Sequence, residues 1–233
     1  MDILVTKNGL RLSQHGVVIS ELRTTPGPTD SIFDVLSALI SVLRPAGRLG
    51  VLGFAGGGMM APLRQLGVAT AVHSVDLDRP AYELFCQHCP GWRDQVEWHE
   101  ADAVAWLRSQ RSKFDLLMDD LSVPYEGDVI KPVVSWRILP GLIRRRLRPG
   151  GIAVFNLLKP AGGNWNPELC QIADEFGTAH LIHPEEFENR ILVAGDTLPS
   201  ARVLGATLRQ ALRALRSRQA GRIRVRQLRP EPA

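Results

Sequence analysis

The chain has 233 residues, of which 45% are hydrophobic, and it carries a formal net charge of +4. This length and composition suit one α/β domain with a small appendage and exclude wholesale disorder. No apolar run approaches the roughly 18–20 residues that a membrane helix needs, and the N-terminus lacks the basic-then-apolar layout of a signal peptide. We therefore expect a cytoplasmic protein that does not insert into a membrane.

The first 24 residues predict a small N-terminal β-hairpin unit. The dipeptides at 8–9 (Asn-Gly) and 15–16 (His-Gly) separate short apolar segments. Asn-Gly between alternating residues strongly favours a tight turn between antiparallel strands. We expect this unit to precede the main domain.

A breaker cluster, TTPGPT at 24–29, separates the hairpin unit from the first helix. An apolar stripe from Ile32 to Leu43 predicts that helix, and we expect Asp30 to cap its N-terminus. The segment 45–47, Pro-Ala-Gly, should end it.

From residue 49 onward, short apolar segments alternate with helical patterns, which is typical of a doubly wound, mainly parallel sheet. The segments are continuously apolar, as expected for strands covered on both faces. The last two are too close for a helical crossover and should pair antiparallel. We predict a Rossmann-like domain over 25–199, with helices on both faces of a seven-stranded sheet that is parallel except for one strand. The predicted strands are 49–54, 71–76, 96–101, 114–119, 152–158, 179–183 and 190–195.

Residues 200–233 form a basic helix and tail. Residues 197–233 hold nine arginines and one glutamate, whereas residues 1–196 hold 19 basic and 23 acidic residues. Two interpretations stay open: binding to nucleic acid, a membrane surface or an acidic partner, or a solvated helix face followed by an edge strand. The predicted apolar face of the helix consists of Val203, Leu204, Leu208, Leu212 and Leu215.

In an open parallel sheet, ligands bind beyond the carboxyl ends of the strands, near the point where strand order reverses. The turn GFAGGG at 53–58 lets a ligand approach the backbone closely. Its spacing departs from the dinucleotide pattern, and it lacks the lysine of a P-loop. Asp76 ends the next strand, where its carboxylate can accept hydrogen bonds from both ribose hydroxyls, and Asp78 should cap the following helix.

Acidic residues also follow the next two strands. Asp102 can accept a hydrogen bond from an adenine amino group while the amide of Ala103 donates to a ring nitrogen, and capping of the next helix explains Asp102 equally well. Asp119 and Asp120 end an apolar strand, where a carboxylate can bind a cation or take a proton. A turn-forming role accounts for either residue as well.

Cys86 and Cys89 form a C-x-x-C segment without a second cysteine pair. A redox pair or half of a zinc site needs further ligands or a matching context. We interpret the two as residues at a helix end and predict no metal site.

Taken in chain order, these segments resemble the class I S-adenosylmethionine-dependent methyltransferase fold, and within it the spermidine synthase-like branch. The resemblance runs from about Leu10 to Gly195. It rests on GVVIS, VLGFAGGG, HSVDLD, the EADA turn, FDLLMDD and LRPGGIAVFNL. It implies S-adenosylmethionine or its decarboxylated form as the cofactor, a small-molecule substrate and a homodimer.

The resemblance also implies roles for individual residues. The cofactor-binding set comprises Gly53, Ala55, Gly56, Gly57, Asp76, Leu77, Asp102, Ala103 and Asp120. Within it, the glycines would hold the methionine part, Asp76 the ribose, and Asp102 with Ala103 the adenine. Asp120 falls where aminopropyltransferases keep the aspartate that deprotonates the attacking amine. Residues at strand ends that we place in the acceptor pocket are Tyr125, Asn156, Lys159 and Trp165.

The sequence departs from the aminopropyltransferase pattern at several acidic positions. The run Asp-Ser-Ser-Asp-Pro is here Asp120-Leu-Ser-Val123-Pro124, and the glycine turn contains no acid. Each charge-assisted hydrogen bond to an amine contributes roughly 1.5–3 kcal/mol. We therefore rank methyl transfer above aminopropyl transfer, and a non-catalytic nucleoside-binding protein is the third hypothesis.

Overall fold

The computed structural model of the chain describes residues 1–44, 46–160 and 163–228. Pro45, which belongs to the predicted end of the first helix, lies outside these ranges, as do the last five residues of the tail. The strands are β1 (Asp2–Thr6), β2 (Gly9–Gln14), β3 (Val17–Arg23), β4 (Leu49–Leu52), β5 (Val72–Asp76), β6 (Val96–Glu100), β7 (Phe114–Asp119), β8 (Val123–Tyr125), β9 (Asp128–Ile130), β10 (Leu147–Leu157), β11 (Thr178–Pro184), β12 (Arg190–Gly195) and β13 (Ile223–Leu228).

The helices lie between these strands. They are α1 (Ile32–Leu43), α2 (Met60–Gln65), α3 (Arg79–His88), α4 (Pro90–Arg93), α5 (Ala103–Ser109), α6 (Val133–Arg137), α7 (Leu139–Arg146), α8 (Trp165–Ala173) and α9 (Ala201–Ala214). A short 3₁₀ helix, η1 (Arg218–Gly221), precedes β13.

The central sheet has the strand order β13-β11-β12-β10-β7-β4-β5-β6. Strands β10, β7, β4, β5 and β6 are parallel, and β12 is antiparallel to both of its neighbours. The seven predicted strands are present, but the number seven is wrong. The eighth strand is β13, which pairs antiparallel with the edge of β11, so two strands run against the rest. Its alternating arginines are compatible with an edge strand, because only one of its faces needs to be apolar.

Strand order reverses at β4, because β5 lies on one side of it and β7 on the other. The carboxyl ends of these three strands therefore meet at the switch point of the sheet, where open α/β sheets bind ligands. Helices cover both faces. One core joins α1, α2, α3 and α9 to the sheet, and the other joins α5, α7 and α8 to it.

The N-terminal unit is a three-stranded antiparallel meander, β1-β2-β3, rather than a single hairpin. Both predicted turns are found, and His15 and Gly16 have positive φ angles of 50° and 79°. Leu12 and Leu22 are buried in the same core as α1. The meander is therefore packed onto the main domain next to the switch point.

The predicted cap of α1 is wrong by one residue. Ser31 is the N-cap, and its hydroxyl accepts a hydrogen bond from the amide of Phe33 at 3.3 Å. Asp30 has a φ of 57° and contacts the tail instead, where its carboxylate accepts a hydrogen bond from the amide of Arg218.

Helix α9 packs against α1 through Leu204, Leu208 and Leu212, which are fully buried, as the apolar stripe predicts. The prediction that Val203 belongs to this face is wrong: its side chain is 51% exposed, because it lies to one side of the buried stripe. Among the described residues, no helix is both long and apolar enough to cross a membrane.

Cys86 is partly buried near the end of α3 and Cys89 is buried just beyond it. The part of the chain that the structure describes contains no group of three or more His, Cys, Asp or Glu side chains placed to hold a metal ion.

Candidate functional site

A cavity of about 310 Å³ opens at the carboxyl ends of the central strands. Its floor is formed by the turns after β4, β5 and β7 together with the end of β10. Its outer walls come from the β2–β3 hairpin, the start of α1 and the loop between β11 and β12. The residues that line it are Gln14, Val17, Val18, Ile19, Ser31, Ile32, Phe33, Gly53, Phe54, Ala55, Asp76, Asp78, Asp120, Leu121, Ser122, Val129, Asn156, Leu158, Phe187 and Asn189.

The charges of this lining have one sign. Asp76, Asp78 and Asp120 supply three carboxylates, and among the described lining residues there is no lysine, arginine or histidine. Phe33, Phe54 and Phe187 supply apolar surface beside these acids. The cavity therefore combines apolar walls with negative charge, which suits a ligand that is partly apolar and carries positive charge.

The glycine turn after β4 is packed mainly against the protein itself. Gly53 has a φ of +86°, and a Cβ there would lie 2.7 Å from the carbonyl oxygen of Asp120. A Cβ on Gly56 would lie 2.5 Å from a methyl carbon of Leu22, and a Cβ on Gly57 would lie 2.7 Å from the ring of Phe54. Gly53 and Ala55 line the cavity, whereas Gly56 and Gly57 are buried behind it.

Asp76 ends β5 and faces the cavity while it holds the glycine turn. Its Oδ2 accepts hydrogen bonds from the amides of Phe54 at 2.6 Å and Ala55 at 2.7 Å. Its Oδ1 accepts a hydrogen bond from the amide of Asp78 at 3.0 Å. A carboxylate offers about four acceptor positions, so these three contacts leave one position, on Oδ1, for a hydroxyl donor. Asp78 caps α3 through the amide of Ala81, as its position predicts.

Asp120 follows β7, and its side chain faces the cavity across from Gly53. Its amide donates to the carbonyl of Leu52 at 2.8 Å, and its Oδ1 accepts a hydrogen bond from Asn156 Nδ2 at 2.7 Å. The Oδ1 of Asn156 accepts from Asn189 Nδ2 at 2.9 Å. A hydrogen-bonded chain thus runs from the outer wall of the cavity to this carboxylate.

Burial raises the pKa of Asp120 to about 6. The hydrogen bond from Asn156 and the charge of Lys131 lower the pKa, and the charges of Asp119 and Asp76 raise it. A general base is most effective when its pKa lies close to the working pH. Asp120 is therefore mostly ionised at neutral pH and able to accept a proton.

A buried ion pair lies directly behind Asp120. Lys131 Nζ is 2.8 Å from Asp119 Oδ1 and 3.2 Å from the carbonyl oxygen of Asp119, and both side chains are fully buried. Asp119 Oδ1 also accepts the amide of Leu121 at 3.0 Å. The pair fixes the backbone on both sides of Asp120 and closes the base of the β8–β9 hairpin. Nothing in the sequence around Lys131 signals this contact, because it joins positions 12 residues apart through the fold.

The predicted adenine-binding residues lie outside the cavity. Asp102 caps α5, with its Oδ1 accepting the amide of Ala105 at 2.9 Å, and Ala103 is buried. Leu77 lies beyond the end of β5 with 70% of its surface exposed. The structure therefore places Asp76 and Asp120 together but does not bring these three residues to the same lining.

Three of the four predicted acceptor residues have other surroundings. Tyr125 is 55% exposed on the β8–β9 hairpin, and Lys159 is exposed after β10. Trp165 starts α8. Its ring centroid lies 6.5 Å from that of Trp136, and Cζ of Arg190 lies 5.4 Å from it on the face of the ring. Asn156 lines the cavity and contacts Asp120.

The cavity also contains residues that sequence reasoning missed. Gln14 lies at the end of β2, and Phe187 and Asn189 lie between the last two predicted strands. The short acidic loop there was interpreted only as a hairpin connection. No local pattern distinguishes such a wall residue, because its role depends on which strand ends the loop covers.

No protein-family model matches the chain, and no curated protein matches it significantly. Among solved structures, a probable spermidine synthase from Corynebacterium glutamicum has a TM-score of 0.73 at 16% identity, over 98% of this chain and 87% of that one. Human methyltransferase-like protein 13, in complex with SAH, has a TM-score of 0.64 at 20% identity, over 80% of this chain and 92% of that one.

A spermidine synthase from Thermotoga maritima has a TM-score of 0.58 at 14% identity, over 73% of this chain and 61% of that one. A fourth match is a spermidine synthase in complex with the transition-state analogue AdoDATO. At these identities the likeness concerns the fold. The chain has the class I methyltransferase fold in its spermidine synthase-like form, as the sequence predicts.

Proposed function

We propose that the chain is a transferase that binds an S-adenosylmethionine-type donor and moves an alkyl group to a small-molecule acceptor, with Asp120 as the general base. The observation that supports this most is the position of Asp120. Its carboxylate faces the cavity at the switch point, held by Asn156 and opposite Gly53. The likeness to a methyltransferase in complex with SAH and to a spermidine synthase in complex with AdoDATO supports the donor class.

The chain's own residues would act mainly by positioning. Asp76 would accept a hydrogen bond from a ribose hydroxyl at the acceptor position of Oδ1 that the loop amides leave open. Gly53 and Ala55 would lie beside the methionine part. Bringing two reactants into line lowers the barrier by removing their relative motion, so the transfer itself needs little further chemistry from the protein.

Asp120 would take the proton that the acceptor loses. The donor's sulfonium carbon is electrophilic, and attack by an acceptor amine or hydroxyl passes the bonding electrons to sulfur. The acceptor proton would then go to an oxygen of Asp120, whose raised pKa makes it a suitable base near neutrality. The role of the Asn156 amide is to keep the other oxygen oriented.

Within this class we place methyl transfer first. The glycine turn contains no acid, and Val123 stands on the exposed β8–β9 hairpin, outside the cavity lining. Aminopropyltransferases need acids at both places to hold ammonium groups, whereas methyl transfer from a donor that keeps its carboxylate does not.

Aminopropyl transfer is the second candidate, and one specific observation favours it. The lining contains three carboxylates, and no basic side chain of the described lining is available to pair with a donor carboxylate. A decarboxylated donor carries an ammonium group but no carboxylate and would meet no repulsion here.

Isothermal titration calorimetry with S-adenosylmethionine, its decarboxylated form and methylthioadenosine separates the candidates. We expect saturable binding of S-adenosylmethionine, at least as tight as that of the decarboxylated form. Tighter binding of the decarboxylated form would reverse the order of the two reactions. If none of the three ligands binds, both enzymatic proposals are wrong.

A further inference from the structure

The C-terminal segment of residues 217–228 lies against the outer wall of the cavity, although none of its own residues lines it. Strand β13 pairs with β11 in antiparallel register along its full length. β11 leads into the loop 185–189, and two residues of this loop, Phe187 and Asn189, face the cavity. The arginine-rich tail is therefore a direct neighbour of a loop that shapes the site.

Several contacts join the tail to this loop. The amide of Glu185 donates to the carbonyl of Arg222 at 2.8 Å, and Arg224 Nε lies 2.7 Å from Glu185 Oε1. Arg222 forms an ion pair with Glu186. Gln219 Nε2 donates to the same Glu186 at 2.6 Å. Two of the three acids of the loop, Glu185 and Glu186, are thus held from the tail.

These contacts differ in strength because they differ in burial. The side chains of Arg222 and Arg224 are 50% and 78% exposed, and exposed ion pairs contribute little. Gln219 is fully buried, and a buried amide that donates to a carboxylate forms one of the stronger hydrogen bonds in a protein. Gln219 is therefore the principal contact between the tail and the loop.

The tail also contacts a second part of the wall. The amide of Arg218 donates to Asp30 Oδ1 at 3.2 Å, and its guanidinium lies 3.6 Å from Asp30 Oδ2. The next three residues of the chain, 31–33, line the cavity. The tail thus fixes two wall segments that are about 155 residues apart in sequence.

One of these wall segments connects to the general base. A carboxylate can only accept hydrogen bonds, so the amide group of Asn156 must point its nitrogen at Asp120. Its oxygen is then available only to a donor on the other side, which is Asn189 Nδ2. The hydrogen bond from Asn189 therefore reinforces the orientation in which Asn156 donates to an ionised Asp120.

We propose that the C-terminal segment 217–228 is a positioning element of the active site, which acts through Gln219, Glu186 and Asn189 on the orientation of Asn156 and Asp120. The assignment of Asp120 as the base rests on the proposed function, whereas the contacts themselves do not. Arg218, Arg222 and Arg224 add weaker ion pairs to this docking, which gives them a role without a polyanionic partner.

The substitution Gln219→Met tests the proposal, because it keeps the volume of the side chain and removes the amide. Arg213→Ala is the matched control, since Arg213 is exposed on α9 and has no ion pair among the described residues. We expect Gln219→Met to raise hydrogen exchange in the loop 185–189 by about tenfold or more. The charges that face Asp120, those of Lys131, Asp119 and Asp76, are the same in both variants.

The decisive readout is the titration of Asp120, followed by ¹³C NMR of labelled aspartate. Loss of the oriented Asn156 removes a hydrogen bond to the ionised form, so the pKa of Asp120 should rise by about 0.5 or more in Gln219→Met. It should not move in Arg213→Ala. We also expect S-adenosylhomocysteine to bind the Gln219→Met variant about three- to tenfold more weakly.

An unchanged loop exchange rate, or a faster loop with an unchanged Asp120 titration, would overturn the proposal. If Gln219→Met does not fold, Glu186→Ala removes the same contact, together with the weak ion pair to Arg222, and must give the same two shifts. If the wild-type protein binds no S-adenosylhomocysteine, the proposed function is wrong, while the exchange and titration results still decide the role of the tail. RNA binding that is lost in Arg213→Ala but kept in Gln219→Met would favour a polyanion surface on α9 instead.

Discussion

The turn after β4 and the turn after β7 lie side by side at the switch point, but they use their polar groups differently. In the glycine turn, two amides donate to Asp76 and the glycines at 56 and 57 contact Leu22 and Phe54. In the acidic turn, the carboxylate of Asp119 forms a buried ion pair with Lys131, and the carboxylate of Asp120 faces the cavity. The first turn mainly shapes the protein, and the second turns a carboxylate toward the cavity, where the proposed function uses it as the base.

The largest effect is expected at the acidic turn. Asp120→Asn keeps the shape of the side chain and removes the base, so transfer should fall by about 10²- to 10⁴-fold. A steady-state assay with the preferred donor measures this. Retention of more than about a tenth of the activity would show that the acceptor loses its proton elsewhere.

The same variant gives a pH prediction for stability. Folding raises the pKa of Asp120 from 3.8 to about 6, so the folded state binds more protons between these values. Ionisation therefore costs stability, a cost that is absent below about pH 4 and complete above about pH 6. Asp120→Asn should be more stable than the wild type by about 1–3 kcal/mol at pH 7 and equal to it near pH 3.5. Urea unfolding at several pH values would show a constant difference if this account is wrong.

Breaking the ion pair behind Asp120 should, in contrast, lower the stability of the protein. Lys131→Met leaves the carboxylate of Asp119 buried without its partner, and such changes cost about 3–5 kcal/mol. The double variant Lys131→Met/Asp119→Leu is the control, because replacing both charges with apolar groups should recover most of the loss. A single variant that unfolds at the same urea concentration as the wild type would contradict the described burial.

A smaller effect is expected at the glycine turn. Gly56→Ala places a methyl group against Leu22 and Leu12, and overpacking of this kind costs about 1–3 kcal/mol. Gly91→Ala is the control, because a Cβ there contacts nothing within 4 Å. If Gly56→Ala weakens donor binding and leaves stability unchanged, Gly56 contacts the ligand and does not mainly pack against Leu22.

Much of the fold could be predicted from the sequence, because the buried strands of a parallel sheet appear in it as short apolar runs. All seven predicted strands are found for this reason. For β13, the alternating arginines fit an edge strand or a loose tail equally well, since they form no such run. Its pairing depends on the free edge of β11, which only the fold reveals.

The site could be predicted less completely. Asp76 and Asp120 come together because both end strands that flank β4. Gly56 and Gly57 are predicted to contact the ligand but pack against Leu22 and Phe54 instead. A glycine permits close approach by a ligand or by another side chain, and the sequence alone does not tell which of the two is present. Asn189, Lys131 and Gln219 act through long-range contacts and carry no local signal. The homodimer and the cytoplasmic location stay predictions.

The central claim is that one cavity at the switch point binds the adenosyl ligand through Asp76. Calorimetric titration of S-adenosylhomocysteine into the wild type, Asp76→Ala and Asp102→Ala tests it most directly. We predict a single saturable site in the wild type, about tenfold or greater weakening in Asp76→Ala, and a smaller change in Asp102→Ala because that residue lies outside the cavity lining. Equal affinity of the wild type and Asp76→Ala would contradict the account.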